Sequence, residues 1–216
     1  MLLEKERTKV IEIARATKKE KLVPLTFGNF SLRDSKSGYV CITPSGMPYD
    51  TLHPSDIVVV NLDGTIIEGE RKPSIELGLH LAIYKRRKDV NGIVHQHSTY
   101  CTAWACVEGG MPCITSEAAA LVGGKVNVAP FCPPGSEELA VATSETLGKD
   151  GSVLMGNHGA VCVAADIDTA LRNAIILEES AKVTYLAYQI NANKVNTLEE
   201  KMCEYLKKDT EQNYGQ

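Results

Sequence analysis

Apolar and polar positions alternate along this chain with two different periods, and the period changes from segment to segment. Leu3 to Lys18 carries apolar residues at intervals of three and four, which predicts an opening helix. "LTFGNFSLRD" follows, two short β-prone runs flanking Gly28-Asn29. "GYVCITPSG" reads as a strand that runs into a turn, because Pro44 and Gly46 interrupt it. "DIVVVNLDGTIIEG" predicts a hairpin, two β-branched runs meeting at Asp63-Gly64, a favoured tight-turn pair. From Ser74 to Lys88 the spacing is helical again, with Leu77, Leu81 and Tyr84 at intervals of four and three. "GIVHQH" then predicts a strand, and "STYCTAWACV" a helix with a Ser or Thr cap. "KVNVAPF" and "GSVLMGNHGAVCVA" supply further strands, with a helix from about Ser136 to Leu147 between them. A long helix from Asp168 to about Gln189 and a shorter one bring the chain to a polar tail, residues 210–216, expected to be mobile.

No internal repeat, linker or low-complexity stretch divides these elements, so residues 1–216 read as one mixed α/β domain. The hairpin points to a mainly antiparallel sheet rather than a doubly wound parallel one. Neither a GxGxxG fingerprint nor a Walker loop occurs. A formal net charge of −4 lacks the basic excess that nucleic acid or an anionic membrane would attract, so neither is expected as a partner. The N-terminal segment "MLLEKERTKVIEIARATKKEK" is amphipathic and mixed in charge, unlike a signal peptide or a membrane span. Seven cysteines, an odd number with no CxxC pair, read as reduced thiols and place the chain in the cytoplasm.

The chemistry gathers around histidine. Successive strand side chains point to opposite faces, so His95 and His97 share one face if "GIVHQH" is extended. His158 lies in the turn "GNHG" between two apolar runs. Three imidazoles on strands and a tight turn form a set that binds zinc and leaves a fourth position for substrate, although HxH alone is a weak signal. His53, beside Pro54, and His80, inside a helix, read as structural residues. Glu76 follows Pro73-Ser74 at a helix start, and two readings stay open: a charge favoured by the helix dipole, or a carboxylate aimed at the metal. Gly28-Asn29 and Ser45-Gly46 are small-residue turns whose backbone N–H groups and hydroxyls suit a phosphate, with Ser74 at a helix N-terminus as a third donor.

The ordered series "GNFS", "TPSGMPYD", "EGERKPSIELGLHLAIYKRRKDVNGIVHQHS" and "GNHGAV" closely resembles the class II aldolase family of the L-fuculose-1-phosphate aldolase and L-ribulose-5-phosphate 4-epimerase type. The resemblance runs from about Gly28 to Tyr188. It implies a three-layer α/β/α domain around a mainly antiparallel sheet, assembled as a homotetramer with sites between subunits. It also implies one Zn2+ per subunit, with Mn2+ the other divalent candidate, held by His95, His97, His158 and Glu76. By the same resemblance Glu76 doubles as general base, and Gly28, Asn29, Ser45, Gly46 and Ser74 hold the substrate phosphate. Tyr214 in the closing "NYGQ" matches a proton-donating tail tyrosine.

Two departures bear on the reaction. Where the aldolases commonly carry a second serine before the glutamate, this chain has Ile75. "CITSEAAALVGG" offers neither the aldolase tyrosine nor the epimerase aspartate; Glu117 stands there instead, near where a related dehydratase uses a glutamate. The expected activity is a zinc-dependent aldolase that cleaves L-fuculose 1-phosphate or a similar deoxyketose phosphate to dihydroxyacetone phosphate and an aldehyde such as lactaldehyde. A 4-epimerase or a dehydratase on the same scaffold is the alternative, and a non-enzymatic interaction domain is the reading furthest from these residues.

Overall fold

A strand buried on both faces needs apolar residues at every position, and several segments of this chain have them. In the computed structural model, which describes residues 1–213, such segments supply several strands of one eight-stranded sheet. Its strands are β1 (Asn29–Arg33), β2 (Val40–Ile42), β3 (Val58–Val60), β4 (Ile66–Glu68), β5 (Gly92–Gln96), β6 (Val128–Ala129), β7 (Ser152–Met155) and β8 (Gly159–Ala164). The spatial order is β4-β3-β2-β1-β5-β8-β7-β6. Every neighbouring pair is antiparallel except β6 with β7, which is parallel. The helices are α1 (Glu4–Lys19), α2 (Leu77–Arg86), α3 (Thr99–Ala105), α4 (Glu137–Leu147), α5 (Ile167–Asn191) and α6 (Glu200–Asn213).

Alternation along the strands lines two cores, one on each face of the sheet. Cys41, Val59, Val94, Leu154 and Cys162 face one way and pack with α1, α3 and α5. Their neighbours Val40, Val58, Ile93, Val153 and Val161 face the other way and pack with α2 and α4. This is the expected three-layer α/β/α arrangement. Each fully buried aliphatic side chain stabilises it by about 1.5–3 kcal/mol.

The predicted hairpin forms between β3 and β4, with Val60 opposite Ile66 and Gly64 at φ +86°. The Asn61 side chain closes its turn, accepting bonds from the Asp63 and Thr65 N–H groups at 3.0 and 2.9 Å. Other expectations shift. α2 starts at Leu77 rather than Ser74, which leaves Glu76 as the residue flanking the helix and not part of its first turn. At α3 neither Ser98 nor Thr99 caps; the Glu178 carboxylate of α5 accepts from the Tyr100 and Cys101 N–H groups at 3.0 and 2.9 Å, satisfying the helix end from outside. Ala118–Val122 forms a π-helical turn that no local pattern announced. α6 continues to Asn213, so positions 210–213, expected in the tail, are helical; 214–216, and with them Tyr214, lie outside the described residues.

β1 departs from the apolar pattern in a way that matters for the site. Phe30 faces the α1 side, whereas Asn29, Ser31 and Arg33 lie under α2, and all three are buried. Arg33 is satisfied there by carbonyls of Tyr84, Lys88 and Val90 and stacks 5.1 Å from the Tyr84 ring centre. A buried polar strand face is tolerated only because each group finds such a partner.

Candidate active site

The site forms where β5, the β7–β8 turn and the start of α2 meet. His95 is paired across β5 with Asn29 of β1 and Val161 of β8, so its side chain shares a face with Asn29. His97 lies one residue beyond β5, and its Nε2 is 2.9 Å from His95 Nε2. His158 enters from the turn between β7 and β8; its ring centre is 5.1 Å from that of His95 and 4.8 Å from that of His97. One nitrogen from each ring lies within 4.8 Å of the others, a set that can hold a metal ion.

Close approach of backbones makes this convergence possible. A Cβ on Gly159 would stand 2.3 Å from the Gln96 carbonyl oxygen, so only glycine lets β8 start beside the end of β5. Gly159→Ala is expected to force the two strands apart, at an overpacking cost of about 1–3 kcal/mol. A thermal melt should show Tm falling by roughly 2–12 °C in a chain of this size. An unchanged Tm would mean the backbone accommodates the methyl without strain.

Glu76 faces the cluster. Its Oε2 is 3.1 Å from His95 Nε2 and accepts a 2.8 Å bond from the Asn29 side-chain amide. Its Oε1 is 3.5 Å from His158 Nε2, buried, and without a hydrogen-bond partner among the described residues. The carboxylate makes no capping bond to α2, so the helix-end reading left open by the sequence does not describe where it points. Burial would raise this carboxyl, but His95, the Asn29 amide and His158 outweigh it and hold the group well below the usual carboxylate range. For His95 burial works downward, and the Glu76 carboxylate with the Ala160 carbonyl outweighs it to give a net rise. Burial first and the neighbouring His95 second push His97 down to about 3 and His158 down to about 4. Both are therefore neutral imidazoles, the form that ligates metals.

The tautomers fit the same role. His95 Nδ1 donates to the Ala160 carbonyl at 3.0 Å, which orients the ring and leaves Nε2 for the cluster. Two Nε2 atoms 2.9 Å apart must share either a proton or a cation, since two lone pairs repel at that distance.

A cavity of about 420 Å³ opens beside the cluster. Gly28, Asn29, Ser45, Gly46 and Ser74 all line it, and so do Glu76, His97 and His158. His95, fully buried, lies directly behind. Glu117 is not brought to it within one chain: its side chain is exposed and accepts a bond from the Ser116 hydroxyl at 3.0 Å. Three contributors escaped the sequence reading. Asn157 lines the cavity with φ +53°, a conformation asparagine tolerates better than most residues and one that the "GNHG" turn could have signalled. Exposed Phe27 also lines it, its ring centre 6.0 Å from that of His97. His80, read as structural, bonds to Asn29 at 2.6 Å and so reaches Glu76 through one intermediary.

This combination of fold and site defines a class II aldolase-like domain, and comparison with known proteins agrees. Residues 8–185 match the family described as Class II Aldolase and Adducin N-terminal domain, and the chain belongs to that family. It is 38% identical over 216 residues, the full length of both chains, to a 5-deoxy-D-ribulose 1-phosphate aldolase of Bacillus thuringiensis. It is 37% identical to an L-fuculose phosphate aldolase of Methanococcus maripaludis, over 83% of this chain and 96% of that one. Among solved structures, an L-fuculose 1-phosphate aldolase superposes with a TM-score of 0.93 at 30% identity, covering 98% of each chain. Within the family the chain stands with the aldolases, as a class II aldehyde-lyase.

Proposed function

We propose that the protein is a zinc-dependent aldolase acting on a deoxyketose 1-phosphate, L-fuculose 1-phosphate or the closely similar 5-deoxyribulose 1-phosphate. The products are dihydroxyacetone phosphate and a short aldehyde. One observation carries this reading: a single cavity collects His97, His158, Glu76 and all five candidate phosphate-holding residues, with His95 against His97 behind its wall. A sugar phosphate needs both ends of that arrangement at once.

His95, His97 and His158 would hold the zinc, with Glu76 beside it. The orphaned Glu76 Oε1 and the two closely spaced Nε2 atoms are what such a site looks like to its own residues. Bound there, a divalent ion supplies Lewis acidity toward the ketose oxygens. The chain's own groups do the rest. Gly28, Asn29, Ser45, Gly46 and Ser74 seat the phosphate, and at Ile75 a backbone N–H stands where a second serine would add a hydroxyl. As the C3–C4 bond breaks, its electron pair stays on C3 of the phosphate-bearing fragment. Glu76 exchanges the proton at that carbon. The proton on the C4 oxygen leaves to Tyr214 or Glu117, and the freed oxygen becomes the aldehyde carbonyl. The surroundings favour this route over a Schiff base, since among the described residues no lysine lines the cavity.

We further propose a homotetramer with each site completed at a subunit boundary. Phe27 and Ile75 line the cavity yet are exposed in a single chain, which is where a neighbouring subunit would cover them.

A panel of ketose phosphates assayed for dihydroxyacetone phosphate release tests the reading. Deoxyketose 1-phosphates are expected to be cleaved, with preferences of about 10–200-fold between substrates that differ by one carbon at the aldehyde end. A 4-epimer or a dehydrated product, with no dihydroxyacetone phosphate, would move the protein to the epimerase or dehydratase reading.

A further inference from the structure

Glu76, His80 and Tyr84 recur at every fourth position and lie along one face of α2 and its N-terminal flank. Asn29, Ser31 and Arg33 recur at every second position and share one face of β1. Four helical residues advance about 6 Å and two strand residues about 6.6 Å, so the two stripes stay in step. Glu76 meets Asn29, His80 lies between Asn29 and Ser31, and Tyr84 spans Ser31 and Arg33.

The contacts form one continuous chain. Tyr84 Oη lies 2.8 Å from Ser31 Oγ, and Ser31 Oγ lies 2.6 Å from His80 Nδ1. His80 Nε2 lies 2.6 Å from Asn29 Oδ1, and Asn29 Nδ2 lies 2.8 Å from Glu76 Oε2. Chemistry fixes the direction of the three links from Ser31 to Glu76. An ionised carboxylate only accepts, so Asn29 must turn its NH2 toward Glu76 and its carbonyl toward His80. A carbonyl also only accepts, so the proton on His80 is on Nε2. His80 is fully buried, and burial above all keeps it neutral, at about 3. Its Nδ1 is then an acceptor, and the Ser31 hydroxyl donates to it. From Ser31 onward the donors point the same way and the chain ends on Glu76, while the Tyr84 hydroxyl has an acceptor in the Ser31 carbonyl at 3.0 Å.

We infer that His80 is a positioning residue for catalysis: as the neutral Nε2–H tautomer it locks the Asn29 amide, which anchors Glu76 Oε2 and leaves Oε1 as the oxygen that exchanges the proton. The inference deepens the proposed function and rests on its assignment of proton transfer to Glu76. Without the Nε2–H donor the Asn29 amide is free to rotate, and its carbonyl oxygen would face the carboxylate and repel it. A histidine that merely fills the interior would need no particular tautomer and would not be followed by a relay to the reacting group.

Two variants separate positioning from packing. His80→Met fills similar volume but cannot donate to Asn29, whereas His80→Gln puts an amide N–H near the place of Nε2–H. In zinc-loaded protein, kcat for cleavage and the rate at which dihydroxyacetone phosphate exchanges its C3 hydrogen for solvent deuterium are measured, together with KM, metal content and Tm. His80→Met is expected to lose about tenfold or more in both rates with metal content unchanged and KM within about threefold; His80→Gln is expected to recover most of the loss. A folded His80→Met with wild-type rates overturns the inference, and so does a His80→Gln as slow as His80→Met. Nitrogen-15 NMR of the unsubstituted protein needs no variant to fold: His80 is expected as the Nε2–H tautomer, and the Nδ1–H tautomer overturns the inference. Wild-type exchange in Glu76→Gln would instead sink the role of Glu76, so the two failures are distinguishable.

Discussion

Glu76→Gln is expected to lower kcat by about 10²–10⁴-fold, the usual contribution of a positioned general base, while the protein stays folded. The amide matches the carboxylate in size but cannot take up the proton. Structural cost should be small because the Glu76 side chain gives α2 no capping bond. A helix-end charge contributes about 0.3–1 kcal/mol, so Tm is expected to move by no more than a few degrees. The two readings of Glu76 therefore separate when Tm and kcat are measured together at saturating zinc and substrate. Near-normal turnover would leave Glu76 a structural residue, despite its 3.1 Å approach to His95.

Removing a histidine from the cluster is expected to have the other large effect. His95→Ala and His158→Ala should each lose most of the bound metal and, with it, aldol cleavage, as measured by metal analysis of the purified variants. Each deletes one nitrogen of a three-nitrogen set, and His95→Ala also abandons the Ala160 carbonyl that orients the ring. Chelation of the unsubstituted protein should abolish activity, and added zinc should restore it. Borohydride with substrate should leave activity intact, because among the described residues no side-chain amine lines the cavity to form a reducible imine. Full metal content in both variants would rule out this ligand set. Inactivation by borohydride would point to a Schiff-base lysine.

Much of the site was legible in the chain because its signals are local. The two-residue spacing of His95 and His97 predicts a shared face wherever the backbone is extended, and the fold keeps that geometry even though His97 lies just past the end of β5. Ser45-Gly46 announced itself as a turn and forms one, whereas Asn29, read with Gly28 as a turn, opens β1 and Ser74 precedes α2 by three positions; the fold nonetheless gathers all five residues on one cavity. The β-branched runs around Asp63-Gly64 specified a hairpin for the same reason: turn chemistry and strand preference act over a few residues.

What the sequence could not decide depended on residues far apart along the chain. The direction of the Glu76 side chain is one case: a dipole-stabilised helix end and a carboxylate aimed at imidazoles have the same local signature. Only the packing of α2 against β1 and β5 separates them. His80 is another, since a histidine within a helix carries no mark of the strand it will lie against. Its connection to the site exists because a four-residue helix step nearly equals a two-residue strand step once the two elements are packed together. The cap of α3 came from Glu178, more than seventy positions away. By itself, then, the sequence determined the periodic elements, the tight turns and the identity of the groups able to ligate or transfer protons, because these follow from neighbouring residues. Tertiary structure alone decided which of those groups meet, at what distance and in which tautomer, because burial and long-range pairing set the hydrogen bonds that orient them.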